Sequence, residues 1–486
     1  MSRGTRLGIA LVGSALVLGV LGDLLFQGQS LGLNVGLWML AFAVALTGLL
    51  RVARAPLHQG RRFMVAPLLV FAALFAWHSS PLLVAANLLA LAAVVTIGAL
   101  RTTRTRLRNT TLSDYGAGFV GAATSTAFGA LPLLMSDIRW KEVVGRARSE
   151  RVTAVARGVA LGLPLLLIFG ALFVAADAMF KHLVSSAVPS LDAAVVERLL
   201  IVGVWAWLAG GLLRDLLASR EEGEAVPFAR GRQGLGALEI GVALAFLDLL
   251  FLAFVVVQFR YLFGGSALVQ SEAQLTYAEY ARHGFFELVV VTGLTLPVLL
   301  LADWALAGRS SRAFRWLAGG LLVLLGVVIA SALQRMRLYV QHFGLTELRL
   351  YATGVILWLA VVSAWFAVTV LRGRRHAFAV GALVAGFAAT LALNVLSPDA
   401  FIARTNVTRP AVDVTYLAGL SDDAVPTLVS RIPQLPRAQQ SELAVALLTR
   451  APADDDWRSW NRSRARAAKA LHAHRAELQA LVERSP

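Results

Sequence analysis

About eleven apolar runs, separated by short basic or polar turns, account for most of the chain. A helix needs about 20 residues to cross a bilayer, and lipid leaves no partner for an open backbone N–H or C=O. Runs of this length therefore read as membrane-spanning helices. They fall at Leu7–Phe26, Gly32–Leu50, Phe63–Trp77, Pro81–Leu100, Gly158–Met179, Arg198–Leu213, Ala237–Gln258, Gly284–Ala302, Trp316–Leu333, Leu350–Leu371 and Ala377–Leu396. The fold class this predicts is all-α: a polytopic transmembrane helix bundle of about 11 spans, possibly 12, with a small C-terminal helical tail.

The twelfth candidate, Tyr115–Leu134, is long enough to cross but rich in Gly, Ala, Ser and Thr. Charge decides its reading, because short cytoplasmic loops accumulate Lys and Arg. With the segment re-entrant or interfacial, 26 basic residues fall on the cytoplasmic side and seven outside before the tail. With it crossing, every later loop inverts. The chain is therefore expected in the bacterial plasma membrane, N-terminus cytoplasmic and tail extracytoplasmic. The first run is nearly of span length and lacks a small-residue cleavage pattern, so it reads as a span and not as a cleaved signal.

The totals agree with a bilayer as the principal partner. Hydrophobic residues make up 58% of the chain and charged ones 15%, with a mean hydropathy of +0.69; soluble domains carry roughly a quarter charged residues. The net charge of +16 resides in clusters between apolar runs, which argues against nucleic acid as a partner. Cysteine is absent, which removes disulfides and thiolate chemistry. No cofactor or metal is expected: there is no Walker loop, HExxH helix or GxSxG elbow, and His472 and His474 read as surface residues.

The chain divides into three regions: 1–157, four spans plus the re-entrant segment; 158–396, a core of about seven spans; and 397–486, a soluble helical tail. In the tail, Asp413 and Ser421 stand where helix N-caps would, and 436–450 and 454–484 read as two further helices.

Candidate chemistry gathers in two places. Asp248 lies near the middle of the seventh run, and an ionisable side chain at that depth is costly enough to suggest an ion or proton role, against a hydrogen-bonded packing role. The second group stands at the outer ends of the spans: Asp177, Arg260, Tyr280, Arg282, His283, Glu287, Arg335, Arg337, Tyr339, Asp399 and Arg404. Its arginines lie outside, against the usual bias, and alternate with acids. A partly desolvated arginine cluster suits planar oxyanions. The competing reading is a salt-bridge network that locks the helix ends. Between the ninth and tenth runs, Gly344 is placed to end one helix and Thr346 to cap the next.

The stretches AADAMF, VVQFRYLFGG, LTYAEYARHGFFEL, RMRLYVQHFGLTELRLY and LNVLSPDAFIARTNVTR resemble bacterial multi-pass membrane proteins of the domain-of-unknown-function families 4153 and 4173. The resemblance spans about Gly158–Arg409, and VDVTYLAGLSDDAVPTL is similar to the segment after the last span in that group. It implies a many-span bacterial membrane protein and carries no established activity. The expected function is binding or transport of an anionic or lipid-linked ligand at the outward arginine, tyrosine and acid cluster. The alternatives are a lipid-carrier-dependent transferase, with Asp177 or Glu287 as general base, and a scaffold or signalling subunit acting through its tail.

Overall fold

The computed structural model describes residues 2–53, 59–99, 121, 123–138, 142, 193–217, 237–263, 285–306, 312–409, 412–450 and 456–483; for 59–64 and 258–263, the start of the helix at 285, and a few further positions it describes the backbone alone. Every regular element among them is helical. The bundle comprises α1 (Arg3–Phe26), α2 (Leu33–Val52), α3 (Gln59–Ala73), α4 (Pro81–Ala99), α5 (Ala193–Leu217), α6 (Ala237–Phe263), α7 (Phe285–Ala305), α8 (Arg312–Phe343), α9 (Glu347–Thr369) and α10 (Arg375–Leu396). The tail adds α11 (Pro398–Asn406), α12 (Val414–Gly419), α13 (Val425–Arg431), α14 (Arg437–Leu448), α15 (Arg462–Ala473) and α16 (Arg475–Glu483).

Six of these helices are long and apolar enough to cross a membrane: α1, α2, α6, α8, α9 and α10. Apolar stretches of α3, α4 and α7 are shorter, and α5 is a 25-residue helix over the sixth run. The chain is thus an all-helical membrane protein with six candidate spans among the described residues; Gly158–Met179 lies outside them. Large side chains such as Val44, Leu89, Phe246 and Val395 remain exposed on these helices, the surface that lipid would cover.

Packing divides the bundle into contiguous apolar clusters. Leu11 and Leu18 of α1, Trp38 and Phe42 of α2, and Leu213 of α5 form one. The most extensive packing there is α1 on α5, where a Cβ at Gly22 would run into the Trp205 ring, so the small residue admits the aromatic one. Phe71 and Phe75 join α2, α3 and α4 in a second, which reaches Phe387 of α10 through a ring contact of 5.2 Å. The largest joins α6 to α10 through Leu244, Leu299, Leu321, Leu325, Ile356 and Phe366. The tail has its own core of Ile402, Leu417, Val425, Leu428 and Leu443, into which the α8–α9 link inserts Leu345.

The doubtful segment does not traverse α5 within its described part. Ser125 bonds Asp215 and Asp137 pairs with the adjacent Arg214, so both ends of 125–137 meet the last turn of that helix. In the tail, Asp413 caps α12 as expected, accepting from Tyr416 N at 2.9 Å. Ser421 does not cap α13: its amide goes to Asp399 instead. The expected single helix over 454–484 is broken into a short 3-10 turn, α15 and α16, with Asn461 capping α15.

Candidate functional site at the tail–bundle seam

The loops 27–32, 77–80 and 344–346 and the whole tail gather at one end of the bundle, while Ser2, Asp137, Glu142 and Arg214 mark the other. At the tail end, helix termini leave N–H and C=O groups that lipid cannot satisfy, and side chains from the tail reach them.

Asp423 is the centre of this seam. It lies in the turn before α13, and its carboxylate accepts from the backbone amides of Ser79 at 2.9 Å and Ser80 at 3.1 Å, which open α4. His78 Nδ1 stands 2.7 Å from Asp423 Oδ1, so that nitrogen carries the hydrogen, and the Ser463 hydroxyl of α15 also meets the carboxylate. Burial pushes the Asp423 carboxyl up, but the His78 ring, the Ser463 hydroxyl and the Ser79 amide outweigh it and hold the group below its ordinary value of 3.8. Asn461 is buried beside it. Its amide donates to the carbonyls of Phe75 and His78, both at 2.8 Å, while its oxygen accepts from Ser463 N.

A second acidic pair adjoins the first. Asp399 follows Ser397, the one described non-glycine residue with positive φ, and the turn through Pro398 buries its carboxyl completely. One oxygen accepts from Ser421 N at 3.1 Å. Glu347, the first residue of α9, lies near this carboxyl and stands 3.5 Å from Ser80 Oγ, while the other Asp399 oxygen is buried without a hydrogen-bond partner among the described residues. Tyr416 accepts from Glu347 N at 2.8 Å, and burial raises its hydroxyl above the ordinary value, keeping it neutral. Below the seam, Asn87 of α4 and Asn394 of α10 exchange amide hydrogen bonds of 3.1 and 2.8 Å. Among the described residues no three His, Asp or Glu side chains come together as a metal site.

The residues singled out from the sequence separate. Asp177, Tyr280, Arg282 and His283 lie outside the described residues; Arg260 and Glu287 fall on α6 and α7, with no description of their side chains. Arg335 is buried within α8. Tyr339 carries the Arg349 guanidinium 4.0 Å above its ring. Asp399 belongs to the seam, whereas Arg404 on the same short helix is exposed, as is Arg337. Neither of these two guanidinium groups has a partner among the described residues, since the bond formed at Arg404 uses its carbonyl. Two neighbouring arginines do structural work: Arg349 donates to the carbonyls of Phe343 and Gly344, and Arg409 to those of Val340 and Gln341. Both close the C-terminus of α8, where Gly344 takes φ +80° as its position implied. Asp248 faces α8 at Gly320, with its carboxylate 3.7 Å from where a Cβ would stand.

Sequence reasoning missed His78, Ser79, Ser80, Asn87, Asp423, Asn461 and Ser463 as a site. The available signal was an acid-rich turn, SDDAVP, in a tail otherwise supplied with helix formers.

These features define a class: a multi-pass helical membrane protein whose C-terminal tail is clasped onto one end of its bundle. The chain belongs to a family known as domain of unknown function 4153 (DUF4153), whose model matches residues 65–430. The match reaches back over α3 and α4, beyond the stretch that carried the resemblance, and takes in His78, Glu347, Asp399 and Asp423. No curated protein and no solved structure matches the chain.

Proposed function

We propose that this is a bacterial plasma-membrane protein of about eleven spans, N-terminus cytoplasmic and tail outside. In this reading it binds or carries an anionic or lipid-linked ligand at the outward rim. The observation that supports it is the contrast among the rim arginines. Arg349 and Arg409 are consumed by helix-end carbonyls, whereas Arg337 and Arg404 are exposed and hold no partner among the described residues. Guanidinium groups presented in this way suit phosphate or carboxylate. Asp399, on the same short helix as Arg404, supplies an acidic group for carriage.

The test is thermal stabilisation of the purified protein by a short-chain polyprenyl phosphate, with inorganic phosphate as comparison. R337Q and R404Q should each weaken the stabilisation roughly tenfold while leaving the unliganded melting temperature unchanged, the scale of one charge-assisted bond. Equal stabilisation of both variants and the parent would sink the reading. A second reading, a scaffold acting through its tail, is supported by the tail's separate core. It requires a stoichiometric partner that is lost on truncation after Val412.

A further inference from the structure

The segment Asp456–Arg464 is strapped across the ends of α1, α2 and α3, and it presents two tryptophans outward. Trp457 is 62% exposed and Trp460 47%, beside Trp77 at 49%. The strap is held by main-chain groups. Leu33 N donates to Trp460 O at 3.0 Å, Arg458 to Leu24 O at 2.7 Å, and Arg464 to Leu31 O at 3.0 Å. Those acceptors and donors lie where the apolar spans α1 and α2 end, so the tryptophans stand level with the edge of the lipid-facing surface. Amphipathic indoles are enriched at that level of a bilayer. Arg462 completes the patch: its guanidinium stacks 4.1 Å over the Trp77 ring and makes no hydrogen bond to another described residue. A planar cation held by its face leaves its edge donors free for an oxyanion.

We propose that Trp77, Trp457, Trp460 and Arg462 form a collar seated in the headgroup layer of the membrane, with Arg462 bound to a phospholipid phosphate. The tail is then fixed against the bilayer surface and does not stand free in water. The occupant is lipid because the patch continues the exposed apolar faces of α1 and α2 (Leu24 of α1, Leu40 of α2 and Leu31 of the link between them are exposed) and because tryptophan has no use for free phosphate. This inference does not depend on Arg337 or Arg404. The strap also lies beyond the residues matched by the family model, so it belongs to this chain's own tail.

The chain has no cysteine, so single cysteines at Trp457, Trp460 and, as a control, the exposed tail residue Ser430 can be spin-labelled without background. In phosphatidylglycerol–phosphatidylcholine vesicles, labels at 457 and 460 should be reached better by oxygen than by a water-soluble nickel complex, and the label at 430 the reverse. Separately, R462Q should lose about fivefold of the affinity for added phosphatidylglycerol measured in detergent, with inorganic phosphate unable to replace the lipid. Water-like accessibility at both 457 and 460, unchanged lipid affinity in R462Q, or equal binding of free phosphate each overturns the proposal.

Discussion

Asp423→Ala tests whether the tail is held by a few helix-end bonds or by its apolar core. The substitution removes a carboxylate whose side chain is 3% exposed and which is paired with His78, itself 5% exposed. It strands the Ser79 and Ser80 amides and the His78 ring nitrogen, while the Ser463 hydroxyl keeps its bond to the Trp77 carbonyl. Leaving buried donors unmatched costs about 1–3 kcal/mol each, and breaking a buried pair by deleting one partner about 3–5 kcal/mol in all. Water entering the seam recovers part of the first figure, so the second is the better estimate. At 1.4 kcal/mol per decade, local opening should rise by roughly a hundred- to a few thousandfold. Asp423→Asn keeps an acceptor in place and should fall between the parent and the alanine variant. Hydrogen exchange in lipid nanodiscs reads this directly, at peptides covering 77–82 and 419–425. The α8–α9 hydrophobic interior should remain protected in all three proteins, since its core is separate. Exchange within twofold of the parent in Asp423→Ala would refute the clasp and leave the apolar tail core as the whole attachment.

The same carboxyl sets a pH dependence. Because its folded value lies below 3.8, its contribution is complete above that value and is lost as pH falls through the lower folded one. The Asp423 share of seam protection, read as the difference between the parent and Asp423→Asn, should therefore be flat from neutral pH to about pH 5 and decline below about pH 4; a difference already lost at pH 6 would contradict it. Gly32→Ala should loosen the strap by about 1–3 kcal/mol, because its Cβ would stand 2.7 Å from the Trp460 carbonyl, and backbone cannot swing aside as a side chain can. Faster exchange of the Leu33 amide is the readout. Asn394→Ala should cost about 1–2 kcal/mol by leaving the Asn87 amide alone among helices, while an Asn87→Leu, Asn394→Leu double variant should recover much of it. Thermal melts in detergent check both. Arg409→Gln should lower the melting temperature without any ligand, in contrast to R337Q, because Arg409, unlike Arg337, closes α8.

What could be read along the chain was whatever short-range physics decides. The apolar runs mark helices because a bilayer admits little else, and Asp413, Thr346 and Gly344 behave as capping and stop residues because their partners lie within a few positions. Ser421 shows where that logic fails. It had the right side chain in the right place, but Asp399 offered its amide a buried carboxylate, and Asp423 drew its hydroxyl to 3.3 Å. The seam was hidden for the same reason. His78 and Asp423 are 345 positions apart, and short polar residues in turns leave no periodicity to detect. Nor does sequence separate Arg409, which is committed to a structural task, from the exposed Arg337, since both are arginines beyond an apolar run.

A single requirement connects these long-range contacts. Where a spanning helix ends, its first amides and last carbonyls face a region with too little water to satisfy them and no lipid group able to do so reliably. The tail supplies the partners one terminus at a time. Arg458 serves the end of α1, Asn461 the turn after α3, Asp423 the start of α4, and Arg409 the end of α8, while Asn406 brackets Leu345 by both its amide and its carbonyl. Each of these is a directional bond from a tail side chain to bundle backbone, so the tail's position is fixed relative to several helices at once. A change in the angle between those helices must then be felt in the tail, and a shift of the tail must be felt in the bundle. Glu347 and the buried Asp399 lie on that line of contact, in the first turn of α9 and the first turn of α11. A change of charge at this place would therefore bear on how the tail and the bundle fit together.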